Sequence, residues 1–101
     1  MEHLLNINLM RRASIESMST LKALANSDRL LLLCQLSQGE KSVRELELLL
    51  GIMQPTLSQQ LGVLRSEGLV TTRRDSKKIY YSVSNEKVIV ILNTLYKLYC
   101  N

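Results

Sequence analysis

Residues 54–70, QPTLSQQLGVLRSEGLV, settle the architecture of this chain. Leu57, Leu61 and Leu64 recur at helical spacing and fall on one face of a helical wheel, which marks that face as buried. Opposite them lie Pro55, Gln59 and Gly62, with Thr56 and Ser58 flanking at the N-terminal end. A solvated helix face normally carries charge, yet none occurs here before Arg65. Amides and hydroxyls are the groups that read base edges. Gln pairs bidentately with adenine, and Ser or Thr serves as donor or acceptor to a base or a phosphate. Charges in their place would hold DNA without telling sequences apart. Gly62, a poor helix former, lets the backbone approach something closely.

Just upstream, SVRE at residues 42–45 is a capping box in which Ser42 and Glu45 satisfy each other's amides. That helix continues through LELLL and ends at Gly51. Gln54-Pro55 restarts the chain, with Pro expected at the first helical position, where its missing N–H costs nothing. Two short helices joined by so tight a turn form a helix-turn-helix. Downstream, Gly68 closes the second of them and the period changes. Ile79, Tyr81 and Val83 alternate with Lys78, Tyr80 and Ser82, and RDSKK sits where a hairpin turns. Arg73, Arg74, Lys77 and Lys78 gather around its tip, placed to grip phosphates.

On the N-terminal side, Met10, Ile15, Met18, Leu21 and Ala25 imply a first helix, and Asn26 to Asp28 offer a cap for RLLLLCQL. That second helix is apolar nearly all round and is expected to be the buried one. A final helix over residues 85–100 carries Val88, Ile91, Leu92, Leu95, Tyr96 and Tyr99. The expected order is ααααββα: mainly α with a β-hairpin wing, a winged helix-turn-helix filling residues 1–101 as a single domain. Hydrophobic residues make up 46% of the chain, but there is no Trp or Phe to fill the core. The apolar stripes of the first and last helices exceed what a 101-residue monomer can cover, so a homodimer is expected.

Charge and rare residues narrow the function. Residues 1–50 hold six basic and six acidic side chains, whereas residues 51–101 hold seven basic and three acidic. The whole excess of +4 therefore sits beside the polar reading helix, which suits double-stranded DNA as a partner. No apolar run is long enough to span a membrane, and MEHLLNINLMRR places its basic pair after the apolar part, unlike a secretory signal. The cytoplasm is the expected compartment, with Cys34 and Cys100 as free thiols. A lone His3, no C-x-x-C and no Gly-rich phosphate loop argue against an enzyme, and no cofactor is expected.

LKALANSDRLLLLCQL, SVRELELLLGIMQPTLSQQLGVLRSEGLVTTRRDSKKIYYSV and the closing LYKLYC together resemble the ArsR/SmtB family of bacterial repressors over nearly the full chain. Within that family the likeness is to the sulfide- and persulfide-responsive BigR/HlyU branch. The resemblance implies a homodimer joined through the first and last helices, with the fourth helix in the major groove. By position, Gln54, Thr56, Ser58, Gln59 and Gln60 match the family's base-reading stretch, although many members carry His where this chain has Gln60. The family is known mainly for metal and metalloid sensing. Here VRELELLL lacks the thiol pair of one typical site and SNEKVIVILNTLYKLYCN lacks the His ligands of another, so no metal site is expected, and a metal- or metalloid-responsive repressor of the same fold is the alternative reading. In the persulfide-responsive branch, a thiol on each of the second and last helices forms the sensor, which places Cys34 and Cys100 in that role. Reactive sulfur species would link them by a disulfide or polysulfide bridge and weaken DNA binding. An antirepressor, which activates by displacing another DNA-binding protein, fits the same residues. No basic residue flanks either cysteine, so any activation of the thiols must come from tertiary neighbours.

Overall fold

The computed structural model describes residues 6–100, which leaves His3 outside the described part. The chain runs α1 (Ile7–Leu24), α2 (Ser27–Leu36), β1 (Lys41–Ser42), α3 (Val43–Leu50), α4 (Gln54–Ser66), β2 (Val70–Asp75), β3 (Lys78–Val83) and α5 (Glu86–Tyr99). This is the expected winged helix with one addition. β1 pairs antiparallel with β3, Lys41 opposite Tyr81 and Ser42 opposite Tyr80, giving a three-stranded sheet of order β1-β3-β2. Two residues carry no period, so nothing in the sequence marks them as a strand.

Local chemistry explains most helix ends. Asn6 accepts from the Leu9 amide, Asn26 from Arg29, and Asn85 from Lys87 and Val88. The capping box closes as read: Ser42 Oγ accepts from the Glu45 amide at 3.2 Å, and the Ser42 amide donates to Glu45 Oε1 at 2.9 Å. α4 differs. It starts at Gln54 after an N-cap, Met53, that makes no side-chain bond, so Pro55 is the second helical residue rather than the first. Its far end is a Schellman turn. Gly68 takes a left-handed φ of 74°, its amide bonds the Arg65 carbonyl, and the Leu69 amide bonds the Leu64 carbonyl. Leu64 and Leu69 are both buried, so the turn feeds the chain straight from the reading helix into the wing.

The core is a leucine cluster without aromatic rings. Leu32 and Leu33 of α2, Leu46 of α3, Leu57, Leu61 and Leu64 of α4, and Val88 of α5 are fully buried. α2 departs from expectation. It buries Leu32, Leu33 and Leu36 but turns Leu31 (49% exposed) and Cys34 outward, because its packing against α1, α3 and α4 covers one flank only. α1 buries only Ala23 and Leu24, leaving Ile7, Met10, Ile15, Met18 and Leu21 in solvent. Val90, Tyr96, Leu98 and Tyr99 of α5 are likewise exposed. The radius of gyration is 15.3 Å, against about 13 Å for a compact chain of 100 residues. Helices whose apolar faces stand clear of the core account for the excess.

Candidate DNA interface and thiol pair

Burial of Leu57, Leu61 and Leu64 sets the roll of α4 and so determines what it offers outward. Gln54, Pro55, Ser58, Gln59 and Gly62 are exposed, and Thr56 is half-buried beside them. A Cβ built at Gly62 meets no atom within 4 Å, so no internal neighbour requires glycine there.

Gln60 stands apart from the other residues expected to read bases. It is half-buried, and its Oε1 accepts a 2.9 Å hydrogen bond from Arg29 Nη1. Arg29 Nε also donates to the Ala23 carbonyl, and Nη2 donates to the Lys22 carbonyl at 3.3 Å. Sequence reasoning passed over Arg29. A signal existed: it is a cation in the first turn of α2, where the helix dipole disfavours positive charge, so a specific partner was required.

The wing divides its cations. Pairing in β2–β3 sets Arg73 opposite Tyr80, Arg74 opposite Ile79 and Asp75 opposite Lys78. Arg73 and Lys78 therefore share one face, Arg74 lies on the other, and Lys77 is in the turn. Arg73 is engaged. Its Nε donates to Glu40 Oε2 at 3.2 Å, its Nη2 pairs with Glu40 Oε1, and its Nη1 lies 3.9 Å from Asp75 Oδ2. Its guanidinium also stacks 4.9 Å from the Tyr80 ring centroid. The Arg73 hydrogen bond holds the Glu40 carboxyl below its usual range, and Glu40 in turn raises Arg73. Among the described residues Arg74, Lys77 and Lys78 make no ion pair. A groove between α3 and the wing is lined by Gln54, Arg44, Lys77 and Lys78 together with the carboxylates of Glu40, Glu45 and Glu47, so its charge is mixed.

Cys34 and Cys100 are both exposed and unbridged, with Cys100 at the C-cap of α5. The expectation that Cys34 is buried with its helix is corrected by the outward turn of that flank. Desolvation, and then the charge of Cys100, push the Cys34 thiol up from its ordinary value. The tertiary neighbours therefore suppress the Cys34 thiolate rather than favour it. Cys34 lies in α2 and Cys100 at the end of α5, 66 positions apart in sequence.

Comparison with known proteins agrees with this geometry. Residues 26–72 match the model of the bacterial regulatory protein, arsR family. The biofilm growth-associated repressor of Agrobacterium fabrum is 50% identical over 91 residues, covering 90% of this chain and 78% of that protein. The transcriptional activator HlyU of Vibrio cholerae is 40% identical over 96 residues, 95% of this chain and 89% of its own. The crystal structure of the transcriptional repressor BigR from Xylella fastidiosa superposes with a TM-score of 0.87 at 48% identity, covering 91% of this chain and 94% of that one. On this likeness over nearly its full length, the chain belongs to the arsR family of bacterial regulatory proteins, as a transcriptional regulator of the BigR and HlyU type.

Proposed function

We propose that this chain is a cytoplasmic, dimeric repressor that binds operator DNA when reduced and releases it when reactive sulfur species bridge Cys34 to Cys100. The observation that supports this reading is the thiol pair: two exposed, unbridged cysteines, one on α2 and one at the end of α5. The dimer draws support from the uncovered apolar faces of α1 and α5. Each large side chain buried there contributes about 1.5–3 kcal/mol before the entropy of association is met. Gln54, Thr56, Ser58 and Gln59 serve as the readers, and Arg74, Lys77 and Lys78 as the phosphate grip.

The chemistry balances with a persulfide as oxidant. The Cys100 thiolate attacks the outer sulfur of R–S–SH, expelling RS⁻ and becoming Cys100–S–SH. The Cys34 thiolate then attacks the inner sulfur and expels HS⁻, which leaves a disulfide. Two thiols are oxidised, and the persulfide is reduced to a thiol and hydrogen sulfide. Cys34 is placed second because desolvation and the charge of Cys100 raise its pKa and so lower its thiolate fraction. The bridge would clamp α2 to the end of α5 and so re-aim the two reading helices of the dimer. Half-sites lie about 34–36 Å apart along the duplex, so a small rotation spoils simultaneous docking. A coupling of a few kcal/mol is enough.

The test is a titration of the duplex upstream of its own gene, with and without a persulfide donor, on wild type, Cys34→Ser and Cys100→Ser. Both variants should bind and ignore the donor, and intact mass should show an internal bridge in the wild type alone. Release of DNA by either treated variant would sink the two-thiol switch. Light scattering that finds a monomer at micromolar concentration would remove the dimer. The Vibrio cholerae relative is named a transcriptional activator, which favours one second reading, activation, with displacement of another DNA-binding protein as its route. A reporter assay separates the two: deleting a repressor raises target transcription, and deleting an antirepressor lowers it.

A further inference from the structure

Arg29 joins three helices through one side chain. From the first turn of α2, its Nε and Nη2 donate to the carbonyls of Ala23 and Lys22 at the end of α1, and its Nη1 donates to Gln60 on α4. The last carbonyls of a helix have no partner of their own and attract positive charge, which explains the first two bonds. The third is different, because Gln60 sits one turn past Thr56 and next to Gln59, on the flank of the reading face. Burial of the leucines sets which face of α4 points outward, but apolar contact is non-directional and leaves the fine angle of that face to other contacts. Side-chain atoms lie about 5–6 Å from a helix axis, so a roll of about 20° moves them by about 2 Å. Hydrogen bonds to a base edge tolerate about 0.5 Å. A directional bond is needed, and Arg29–Gln60 supplies one.

We propose that Arg29 is a positioning residue for sequence reading: its fork ties α4 to the end of α1, and Gln60 serves as the anchor of that tie rather than as a base reader. The proposal rests on α4 being the DNA-reading helix. Arginine is required, because its fixed fork spans acceptors on two helices, whereas a lysine ammonium is a point charge on a flexible stem. α1 also carries the exposed apolar stripe, so the tie links the pairing surface to the reading one.

The experiment compares wild type, Arg29→Met, Arg29→Lys, Gln60→Met and the Arg29→Met/Gln60→Met double variant. The probes are a duplex selected by the wild type from a random pool and an unselected random duplex, with urea midpoints recorded for each protein. Arg29→Met and Gln60→Met should each lower the selected-to-random affinity ratio about tenfold, spread over all positions of the half-site. The double variant should be no worse than either single, Arg29→Lys should not restore the ratio, and Arg29→Met should keep the wild-type salt slope on random DNA. A loss confined to one base pair in Gln60→Met, with the ratio intact in Arg29→Met, makes Gln60 a reader and overturns the proposal. Additive losses in the double variant overturn it too. Should Arg29→Met fail to fold, Gln60→Met removes the same bond and decides by the same pattern, uniform loss supporting and single-position loss overturning. A wild-type ratio near one overturns the reading of α4, and this proposal with it, whereas a high wild-type ratio that Arg29→Met leaves unchanged overturns this proposal alone.

Discussion

Replacing Glu40 by Gln should strengthen the grip of this protein on any duplex. Arg73 presents its Nε–Nη2 edge to Glu40 while Nη1 faces Asp75, so two carboxylates bracket one guanidinium. The same fork geometry suits a phosphate, and in the free protein the carboxylate holds it. Neutralising Glu40 frees about one cation, and each phosphate neutralised adds about 0.9 to the slope of log affinity against log salt. Over a fourfold rise in salt, that amounts to about 3.5-fold greater loss of affinity than wild type shows. The assay is fluorescence anisotropy with a random duplex across a salt series. Arg73→Ala alone should change the slope little, Lys77→Ala should lower it by about 0.9, and Arg73→Ala should cancel the gain from Glu40→Gln. Folding stability should hardly move, since exposed ion pairs are weak. Mild acid is no substitute for the mutation. The Glu40 carboxyl is held below its usual range, so the pair persists above the ordinary carboxylate pKa and opens only as pH falls through the lowered value. A Glu40→Gln protein that binds more weakly, with Arg73→Ala alone flattening the slope, would show that Glu40 aims Arg73 at the phosphate instead of occupying it.

Other substitutions test other layers. Because desolvation and Cys100 raise the Cys34 thiol, its alkylation by iodoacetamide should reach half-maximal rate at a higher pH than a free peptide thiol. Cys100→Ser should remove part of that shift but not all of it, and a midpoint at or below the peptide value refutes the environment described. Gly62→Ala should separate stability from function. No atom lies within 4 Å of the new methyl, so urea unfolding should show a gain of about 0.5–1 kcal/mol, while operator affinity falls. A variant that binds as wild type does would remove close groove approach as the reason for glycine. Ser76 holds a left-handed φ of 59° in the wing turn, and Ser76→Gly should add about 1 kcal/mol of stability by relieving it, read by the same unfolding curve. Leu61→Ala, at a site 1% exposed, should cost about 2–5 kcal/mol and lose DNA binding only through unfolding.

Helices and hairpin were legible because their signals are local. The capping box at Ser42 and Glu45, the leucine spacing of α4, the Gly68 stop and the alternation in β3 each act over a few residues, and each appears in the structure where its residues stand. The polar face of α4 follows by subtraction once Leu57, Leu61 and Leu64 are known to be inside. What the sequence did not disclose is which side chains meet across long intervals. Glu40 finds Arg73 33 positions away, and Arg29 finds Gln60 31 positions away. One pairing gives a cation of the expected grip an internal partner, and the other does the same for an expected reader. Similarly, an apolar run such as RLLLLCQL states that burial is favourable but not which flank the neighbouring helices cover, and α2 left Leu31 and Cys34 outside. The physical reason is common to all three. Capping and periodicity depend on backbone geometry that every helix or strand shares, whereas ion pairs, hydrogen-bonded ties and thiol environments depend on distances of a few ångströms between elements, and only the packed leucine core sets those.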